Sequence, residues 1–325
     1  MLKKIKKIII GSLSAYKKTN FIHNFYKNDY KSPKVNLGKL QANLNLQKIV
    51  NSLQDVEFQV FSQFGDDGII QWLVNQLPIP NKTFIEFGVE NYREANTRFL
   101  LVNNYWSGLV IDGNIKNIEQ IRNDQISTFY DLQSECSFIT EANINGLIAS
   151  AKFNSEIGLL SIDIDGNDYW IWKSITEINP IIVIIEYNSL LGFEFPYTIA
   201  YKADFVRGHS TPFNFYGTSL LSACDLATEK GYSFIGSNSA GNNAYFIRND
   251  FMQYLPTPKL TPQQGYVFAS FSETWDSNKI PRRGIEKVKS IDDLIVVNTR
   301  LLFEENINSS KIIDSLIKAN KLNRF

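Results

Sequence analysis

The sequence predicts a doubly wound α/β fold, in which helices cover both faces of a mostly parallel sheet and an antiparallel hairpin forms one edge. Three observations lead to it. Short β-rich runs alternate with helical patterns over residues 82–188. Several of these runs end in an acidic residue beside a turn former. Residues 217–250 then indicate a helix, a strand, a turn and a strand, which is typical of a hairpin added to a parallel sheet.

The elements before the sheet are helical. Over residues 45–77 the apolar spacing predicts one or two helices, interrupted around Gly65 and Gly68 and ended by Pro78 and Pro80. The strands are predicted at residues 82–89, 107–114, 126–130, a run closing on Asp163, and 178–188. Helices are predicted from the first strand to Val102 and over residues 115–122.

Three regions follow from this pattern. Residues 1–45 form a basic N-terminal arm, residues 46–255 a single α/β domain, and residues 256–325 an irregular extension with a final helix over 309–321. Within the domain, the aromatic and proline-bearing segment 189–215 is long enough to be a lid or a substrate surface.

Composition excludes several classes of protein. The 325 residues are 44% hydrophobic and 20% charged, which predicts an ordinary globular protein. Lys plus Arg equals Asp plus Glu at 33 each, so the chain has no net positive charge that would attract nucleic acid. Two cysteines, Cys136 and Cys224, lie in regular segments without a CxxC spacing. They are expected to be buried thiols of a cytoplasmic protein.

The N-terminal sequence MLKKIKKIIIGSLSAYKK combines lysines with a short apolar run. That run is too short to cross a bilayer, which takes about 20 apolar residues. Two interpretations stay open: a solvated or partner-docking arm, and peripheral contact with the anionic inner face of a membrane.

Acids at strand ends carry the chemistry. In an open parallel sheet, the carboxyl ends of the strands line the ligand crevice. Glu86, Asp112, Asp163 and Glu186 fall at or just after the ends of successive predicted strands, and Gly88 lets the backbone come close to a ligand. An acid that ends the second strand, here Asp112, usually binds the ribose of an adenosine-containing cofactor. Each acid alone is also compatible with a helix cap or a solvated turn.

The segment LLSIDIDGNDYWIW (159–172) is the most informative one. A buried strand ends in Asp163, Asp165 and Asp168 around a glycine, and these oxygen ligands, with Glu186, suit Mg²⁺, Mn²⁺ or Ca²⁺ better than Zn²⁺. A metal-free base and a structural turn remain alternatives. An EF-hand is rejected because the terminal Glu of its loop is missing.

Seven segments, taken in order, resemble the FkbM-type branch of S-adenosylmethionine-dependent methyltransferases, in particular bacterial versions associated with surface polysaccharides. They are SQFGDDGII (62–70), FIEFGVENYREANTRFLL (84–101), WSGLVIDGN (106–114), SIDIDGNDYWIW (161–172), IVIIEYN (182–188), YGTSLLSACDLATEKGYSFIG (216–236) and GNNAYFIRND (241–250). The resemblance implies a Rossmann-like, class I methyltransferase-like sheet.

The resemblance also implies site residues. Glu86 and Gly88 would hold the methionine part of the cofactor, with Asn96 and Thr97 nearby. Asp112, with Gly113 beside it, would bind the ribose, and Asp163 would close the cofactor site on the acceptor side. One departure is the first loop, where Val89, Glu90, Asn91 and Tyr92 follow Gly88 in place of further glycines.

Methyl transfer to a hydroxyl requires removal of the acceptor's proton. Asp163 is the first candidate for the base, in the position where related O-methyltransferases place a base or metal ligand, and Asp165 adds a second carboxylate. His209, in the predicted lid beside Arg207, is the alternative base. A divalent cation is the third way to lower the acceptor's pKa.

Five residues are candidates for the acceptor pocket. Tyr187 and Asn188 follow Glu186 directly, and Trp170 can stack on a sugar ring or adenine. Asn242 and Asn243 lie in a turn where asparagine also serves the turn itself.

The resemblance thus implies an O-methyltransferase that acts on a saccharide or sugar phosphate of a bacterial surface glycan. The alternatives are a metal-dependent phosphoryl or ester transferase or hydrolase using the DxDGxD acids, and a non-catalytic Rossmann-like scaffold of a glycan assembly system.

Overall fold

A computed structural model of the chain describes residues 32–209, 212–269, 271 and 280–322. Residues 1–31 of the predicted basic N-terminal arm therefore lie outside the described residues. The ten strands are β1 (Thr83–Phe87), β2 (Ser107–Asp112), β3 (Leu132–Cys136), β4 (Leu159–Ile162), β5 (Ile182–Glu186), β6 (Tyr197–Ile199), β7 (Tyr232–Ser237), β8 (Asn243–Arg248), β9 (Ile295–Asn298) and β10 (Phe303–Asn306).

Helices alternate with these strands. The α-helices of the described residues are α1 (Pro33–Asn45), α2 (Asp66–Gln76), α3 (Arg98–Asn104), α4 (Ile115–Asn123), α5 (Ile126–Phe129), α6 (Ile144–Ser150), α7 (Asp168–Ser174), α8 (Leu220–Glu229), α9 (Pro262–Gly265), α10 (Ile285–Lys289) and α11 (Ser309–Lys318). Short 3₁₀ helices cover Leu53–Val56, Ser189–Leu191 and Asn249–Tyr254.

The main sheet confirms the predicted Rossmann-like fold. Its seven strands have the order β3-β2-β1-β4-β5-β8-β7, in which β8 is antiparallel to both of its neighbours and the first five strands are parallel. The strand order reverses between β1 and β4, which is the switch point where such sheets bind their ligands. Two buried apolar clusters, one on each face, enclose the sheet.

Four strand predictions are confirmed, those of β1, β2, β4 and β5. These strands are apolar in sequence because they are buried along almost their whole lengths. The predicted third strand is wrong. Residues 126–129 form α5, which begins where the Asp124 side chain accepts a hydrogen bond from the Ile126 amide. The true β3 has the polar sequence LQSEC because it is an edge strand that is only partly covered.

Two helix predictions change in extent. Gly68 lies inside α2 rather than at a break in it. Glycine is needed there because a Cβ would collide with the backbone of Val56 and Phe58. The helix after β1 begins only at Arg98, because the preceding residues form the loop described below. The final helix, α11, is confirmed.

The C-terminal extension is less irregular than predicted. β9 pairs with β10 and with β6, which comes from the predicted lid segment, in a second, three-stranded sheet. Val288, Val296, Ile312 and Leu316 of the extension join the same apolar cluster as β4 and β5. Of the two free thiols, Cys224 is buried as expected and Cys136 is only half-buried.

Candidate functional site

Four acids meet at the carboxyl edge of the sheet. Glu86 lies in β1, Asp112 ends β2, Asp163 follows β4 and Glu186 ends β5, and these four parallel strands are neighbours in the order β2-β1-β4-β5. The structure thus brings together the acids that the sequence analysis assigned to one crevice.

Glu86 holds the loop that precedes α3. One carboxylate oxygen accepts a hydrogen bond from the Asn96 amide at 2.8 Å, and the other accepts bonds from the amide and the hydroxyl of Thr97. Burial raises the pKa of Glu86 to about 7, although these hydrogen bonds oppose the shift. Glu86, Asn96 and Thr97 are buried and bonded to one another, so they hold the loop before α3 against β1.

The loop after β1 contains three residues with positive φ, although only one of them, Gly88, is a glycine. Gly88 has φ +72°, and a Cβ there would lie 1.6 Å from the carbonyl oxygen of Asp163, so glycine lets β1 pass close to the end of β4. Glu90 and Tyr92 adopt left-handed φ values of 46° and 59°. Such strain in non-glycine residues persists where the surroundings enforce it, and it is typical of functional loops.

Asp67, whose role the sequence analysis did not assign, holds residues 60–62, which in turn contact the segment before α3. Its Oδ2 accepts hydrogen bonds from the amides of Val60, Phe61 and Ser62 at 2.7–2.8 Å and from the Ser62 hydroxyl. The carbonyl of Phe61 in turn accepts the Ala95 amide. The sequence signal was the pair of acids that opens α2, a position where helix ends favour carboxylates.

Asp112 lies at the second strand end, as predicted, and its carboxylate orders two loops. Oδ2 accepts the Glu90 amide at 2.8 Å, and Oδ1 accepts the Asn114 amide and the Asn117 side chain. Oδ2 keeps one position for a further donor, since a carboxylate offers about four acceptor positions and Oδ1 already accepts two bonds.

Asp112 and Gly113 line a crevice of about 190 Å³. Its other lining residues come from the loops after β1, β3 and β4 and from the lid segment: Gly88, Glu90, Ile111, Ser137, Phe138, Ile139, Asp163, Ile164, Asp165, Asn167 and Phe205. Phe138 is 48% exposed although it is a large apolar side chain, so its ring offers a stacking surface.

Asp163, Asp165 and Glu186 form the acid cluster. One oxygen from each lies within 4.8 Å of the others. Burial and the neighbouring carboxylates raise the pKa values of Asp163 and Glu186 well above the ordinary range, and the Arg207 guanidinium lowers them. Oε2 of Glu186 is buried without a hydrogen-bond partner among the described residues. A buried carboxylate in this state is costly unless a cation joins it.

Asp168, the fourth predicted metal ligand, lies outside this cluster. Its two oxygens accept the amides of Ile164 and Gly166 at 2.9 Å each and so hold the turn that carries Asp165. Burial raises its pKa to about 6. Because both oxygens serve the turn, the ligand role is corrected to a structural one.

The lid residue that contacts the cluster is Arg207, not His209. Arg207 pairs with Asp165 at 2.5 Å and lies against the rings of Phe213 and Tyr216. His209 is exposed, and its imidazole shows no hydrogen bond within the part of the chain that the structure describes. The structure therefore does not bring the predicted alternative base to the acids.

Three predicted acceptor residues bond to neighbouring segments of the chain and do not line the crevice. The Tyr187 hydroxyl donates to the Val267 carbonyl, and the Asn188 amide donates to the carbonyls of Asn214 and Tyr216. The Trp170 indole donates to the Ile199 carbonyl at 2.8 Å. Tyr187 and Asn188 are buried, and Trp170 is half-buried.

Asn242 and Asn243 belong to a buried network below the hairpin. The Asn243 amide donates to Asp66, and the side chain of Asn242 accepts the amide of Asn238, which also bonds to Asp66. These contacts fix the turn between β7 and β8 to the start of α2. We therefore correct their predicted substrate role to a structural one.

A larger cavity of about 650 Å³ lies at the end of β7. Leu53, Ile235, Tyr266 and Phe268 contribute to its walls, and none of the predicted site residues lines it. The chemically distinctive residues and this larger cavity thus lie in different places.

No protein-family model and no curated protein matches the chain. Among solved structures, the N-terminal domain of EvdMO1 with SAH bound aligns with 64% of this chain and 94% of its own, at 11% identity and a TM-score of 0.38. The same domain in the presence of SAH and D-fucose aligns with 66% of this chain and 95% of its own, at 12% identity and a TM-score of 0.37. An S-adenosylmethionine-dependent methyltransferase from Clostridium acetobutylicum aligns with 56% of this chain and 90% of its own, at 11% identity and a TM-score of 0.34. These scores describe a remote likeness, so the functional conclusions rest on the residues of this chain.

Proposed function

We propose that this chain is an S-adenosylmethionine-dependent O-methyltransferase whose cofactor binds in the crevice between β1, β2 and β4. One observation carries the proposal: a crevice lined by a strand-end acid and an exposed aromatic ring opens directly onto the acid cluster. The first part suits an adenosine, and the second suits the removal of a proton from a hydroxyl. Asp163 lines the crevice and also belongs to the cluster.

The crevice fits the adenosine part of the cofactor. Oδ2 of Asp112 can accept a ribose hydroxyl, and Phe138 and Ile139 offer an apolar surface for adenine. Its 190 Å³ is less than the roughly 300–1,000 Å³ of a pocket for a whole drug-sized ligand. The methionine end would extend along the first loop towards Asp163. Glu86 and Thr97 act there by holding the loop, since their polar atoms are already bonded to each other.

Methyl transfer itself requires little acid or base catalysis, because the sulfonium group of the cofactor is already activated and positioning supplies much of the rate. The acceptor hydroxyl is different, because it must lose its proton. Asp163 is the first candidate for the base, since burial and its neighbours raise its pKa towards the range where a carboxylate accepts protons at neutral pH. The negative charges of Asp165 and Glu186 beside Asp163 would favour its uptake of this proton.

The acid cluster also fits a divalent cation. The three carboxylates supply only oxygen ligands, which suits Mg²⁺, Mn²⁺ or Ca²⁺, and Glu186 has a buried oxygen that lacks a hydrogen-bond partner among the described residues. A bound cation would lower the pKa of a coordinated hydroxyl. In that arrangement Asp163, Asp165 and Glu186 hold the cation, and Asp168 keeps the turn in place.

The acceptor class rests on the resemblance of the seven sequence segments to the FkbM-type branch. A saccharide or sugar-phosphate precursor of a bacterial surface glycan is the acceptor that this resemblance implies, in the cytoplasm where such precursors are made. The second candidate function is metal-dependent phosphoryl or ester transfer or hydrolysis. The acid cluster favours it specifically, because three close carboxylates can hold a cation without any methyl donor.

Titration calorimetry with S-adenosylmethionine and S-adenosylhomocysteine, each with and without Mg²⁺ or Mn²⁺, separates the candidates. Methyl transfer requires binding of both cofactor forms in the micromolar range. Metal binding without cofactor binding would favour the hydrolase or phosphoryl transferase. Heat from neither cofactor nor metal would leave the non-catalytic scaffold.

The matched variants are Asp112→Ala and Asp131→Ala. Asp112→Ala removes the carboxylate that lines the crevice and is expected to abolish cofactor binding. Asp131 is an exposed aspartate that precedes β3, so Asp131→Ala is expected to bind like the unmodified protein. Equal cofactor binding by both variants would show that the crevice is not the cofactor site.

A further inference from the structure

Helix α1 is firmly seated on the domain through one face. Val35, Gly38 and Ala42 are buried on that face. A Cβ at Gly38 would lie 2.4 Å from the Val60 side chain, so the helix backbone is in close contact with the domain. The Asn45 amide at the end of α1 donates to the Val56 carbonyl at 2.6 Å. The orientation of α1, and hence of its outer face, is fixed by these contacts.

The outer face of α1 is apolar. Leu37, Leu40 and Leu44 follow one another at helical spacing and are 65%, 55% and 48% exposed. Beyond the helix, Leu46 and Ile49 are 45% and 89% exposed and extend the same segment. We call Leu37, Leu40 and Leu44 the leucine face. Single exposed leucines are ordinary on a protein surface, whereas a continuous set of this kind marks an interaction site.

Lysines border the leucine face. At about 100° per residue, Lys34 and Lys39 lie on opposite sides of the line of leucines. Lys48 follows the helix and donates to the Asp55 carbonyl. Residues 32–54 contain no Asp or Glu. Apolar side chains with basic borders are typical of helices that rest in the plane of an anionic membrane surface.

The charge of the sequence is segregated in the same direction. The first 54 residues contain eleven lysines and a single acid, Asp29, which gives a net charge of +10. Since the whole chain is formally neutral, the remaining residues carry −10. An anionic surface would therefore attract the first 54 residues of the sequence, which include the leucine face, and repel the remaining residues.

We propose that the leucine face docks on an anionic lipid bilayer, with α1 lying parallel to the membrane. Its leucines enter the interfacial region, and Lys34 and Lys39 reach the lipid phosphates with their long side chains. A second copy of the chain fits this surface less well, because pairing two such faces would bring two segments of charge +10 together. A nucleic acid would match the lysines but not the exposed leucines.

Sedimentation of the full chain with lipid vesicles tests the proposal. We expect binding to phosphatidylcholine vesicles that contain phosphatidylglycerol, and little binding to phosphatidylcholine alone. The attraction should weaken strongly at about 1 M salt, where the Debye length is only about 3 Å. Absence of binding to either vesicle, or equal binding to both, would overturn the proposal.

The decisive variant is the triple substitution Leu37→Gln, Leu40→Gln and Leu44→Gln, because glutamine keeps helix propensity and removes the apolar contact. It is expected to lower partitioning onto anionic vesicles at least about tenfold, since each leucine loses apolar burial. The control is Phe129→Gln, Leu301→Gln and Phe303→Gln, which removes three exposed apolar side chains elsewhere. It is expected to bind within about twofold of the unmodified chain.

Two outcomes would redirect the assignment. If the leucine-face variant binds vesicles like the unmodified chain, the leucine face is not the docking surface. If the unmodified chain is a dimer by light scattering, and the variant is monomeric while vesicle binding is unchanged, the face joins two copies of the chain. Circular dichroism on both triple variants verifies that α1 and the domain remain folded.

Discussion

Two groups of acids lie at the same edge of the sheet and differ in their hydrogen bonds. Asp66, Asp67 and Glu86 are buried and accept bonds from backbone amides, side-chain amides or hydroxyls. Asp163 is half-buried and Glu186 is buried, and neither carboxylate accepts a hydrogen bond from another described residue; Oε2 of Glu186 is itself buried in this state. Both groups have raised pKa values because of burial. Burial alone therefore does not distinguish the two groups, whereas the number of hydrogen bonds does: Oδ1 of Asp67 also lacks a partner among the described residues, but its Oδ2 accepts four bonds.

The difference has a physical basis. A buried carboxylate is stable when donors replace the water that it lost. The first group has these donors and so acts as part of the fold. The second group has other carboxylates as neighbours, and Arg207 is the cation that lowers their pKa values. Such a site is stabilised by a proton, a bound cation or a positively charged ligand, which is what a catalytic site for a hydroxyl acceptor requires.

The largest expected effect is on catalysis. Asp163→Asn is expected to lower methyl transfer about a thousandfold, within the range of about 10²–10⁴ for loss of a general base, while cofactor binding is retained. The measurement is methyl transfer from radiolabelled S-adenosylmethionine to a saccharide extract, together with calorimetry. Asp131→Asn, an exposed control, should keep full activity. Full activity of Asp163→Asn would place the reaction elsewhere.

The second effect is on stability and concerns the first group. Asp67→Ala leaves three buried amides, of Val60, Phe61 and Ser62, without their acceptor, and we expect a loss of about 4 kcal/mol in the free energy of unfolding. Urea denaturation measures it. Glu186→Gln removes no hydrogen bond seen in the described part of the chain and is expected to change stability by less than about 1 kcal/mol. Equal losses in both variants would remove the distinction between the two groups.

The sequence predicted the strands that are buried on both faces, since these are continuous apolar runs that end in acids. It missed β3, whose edge position permits polar residues, and it took the apolar residues 126–130 for a strand although an Asp124 turn starts a helix there. It also extended the helix after β1 too far. The interval before Arg98 is held by Glu86, a contact between residues ten positions apart that periodicity does not reveal.

For the candidate site, the sequence predicted which acids lie at the strand ends, but not which of them hydrogen-bond to their own loops. Asp163, Asp165 and Asp168 are equivalent as letters in the segment, and only the backbone shows that Asp168 turns back onto Ile164 and Gly166. Similarly, His209 drew attention because of its chemistry, whereas Arg207 reaches the cluster because the lid folds over it. Side-chain direction and hydrogen-bond partners, which decide function here, are set by tertiary contacts.

The third effect is a pH dependence that distinguishes a bonded acid from an ordinary one. The pKa of Glu86 is raised from 4.5 to about 7 by burial, so the folded protein binds this proton more tightly than the unfolded chain. The stability that this proton supplies is complete below about pH 4.5 and is lost as the pH rises to about 7. At about 1.4 kcal/mol per pKa unit, the loss is up to about 3 kcal/mol.

Glu86→Gln isolates this contribution, because other buried acids titrate equally in both proteins. The free energy of unfolding of the unmodified protein, measured in urea between pH 4.5 and 7, is expected to fall more steeply than that of the variant, although the variant starts lower because glutamine cannot accept all the bonds from Asn96 and Thr97. Glu304→Gln, which changes an exposed acid of β10, should follow the unmodified profile. Parallel profiles for all three proteins would mean that Glu86 is ionised in the folded state at low pH, as a carboxylate with several donors can be when its hydrogen bonds outweigh the cost of burial.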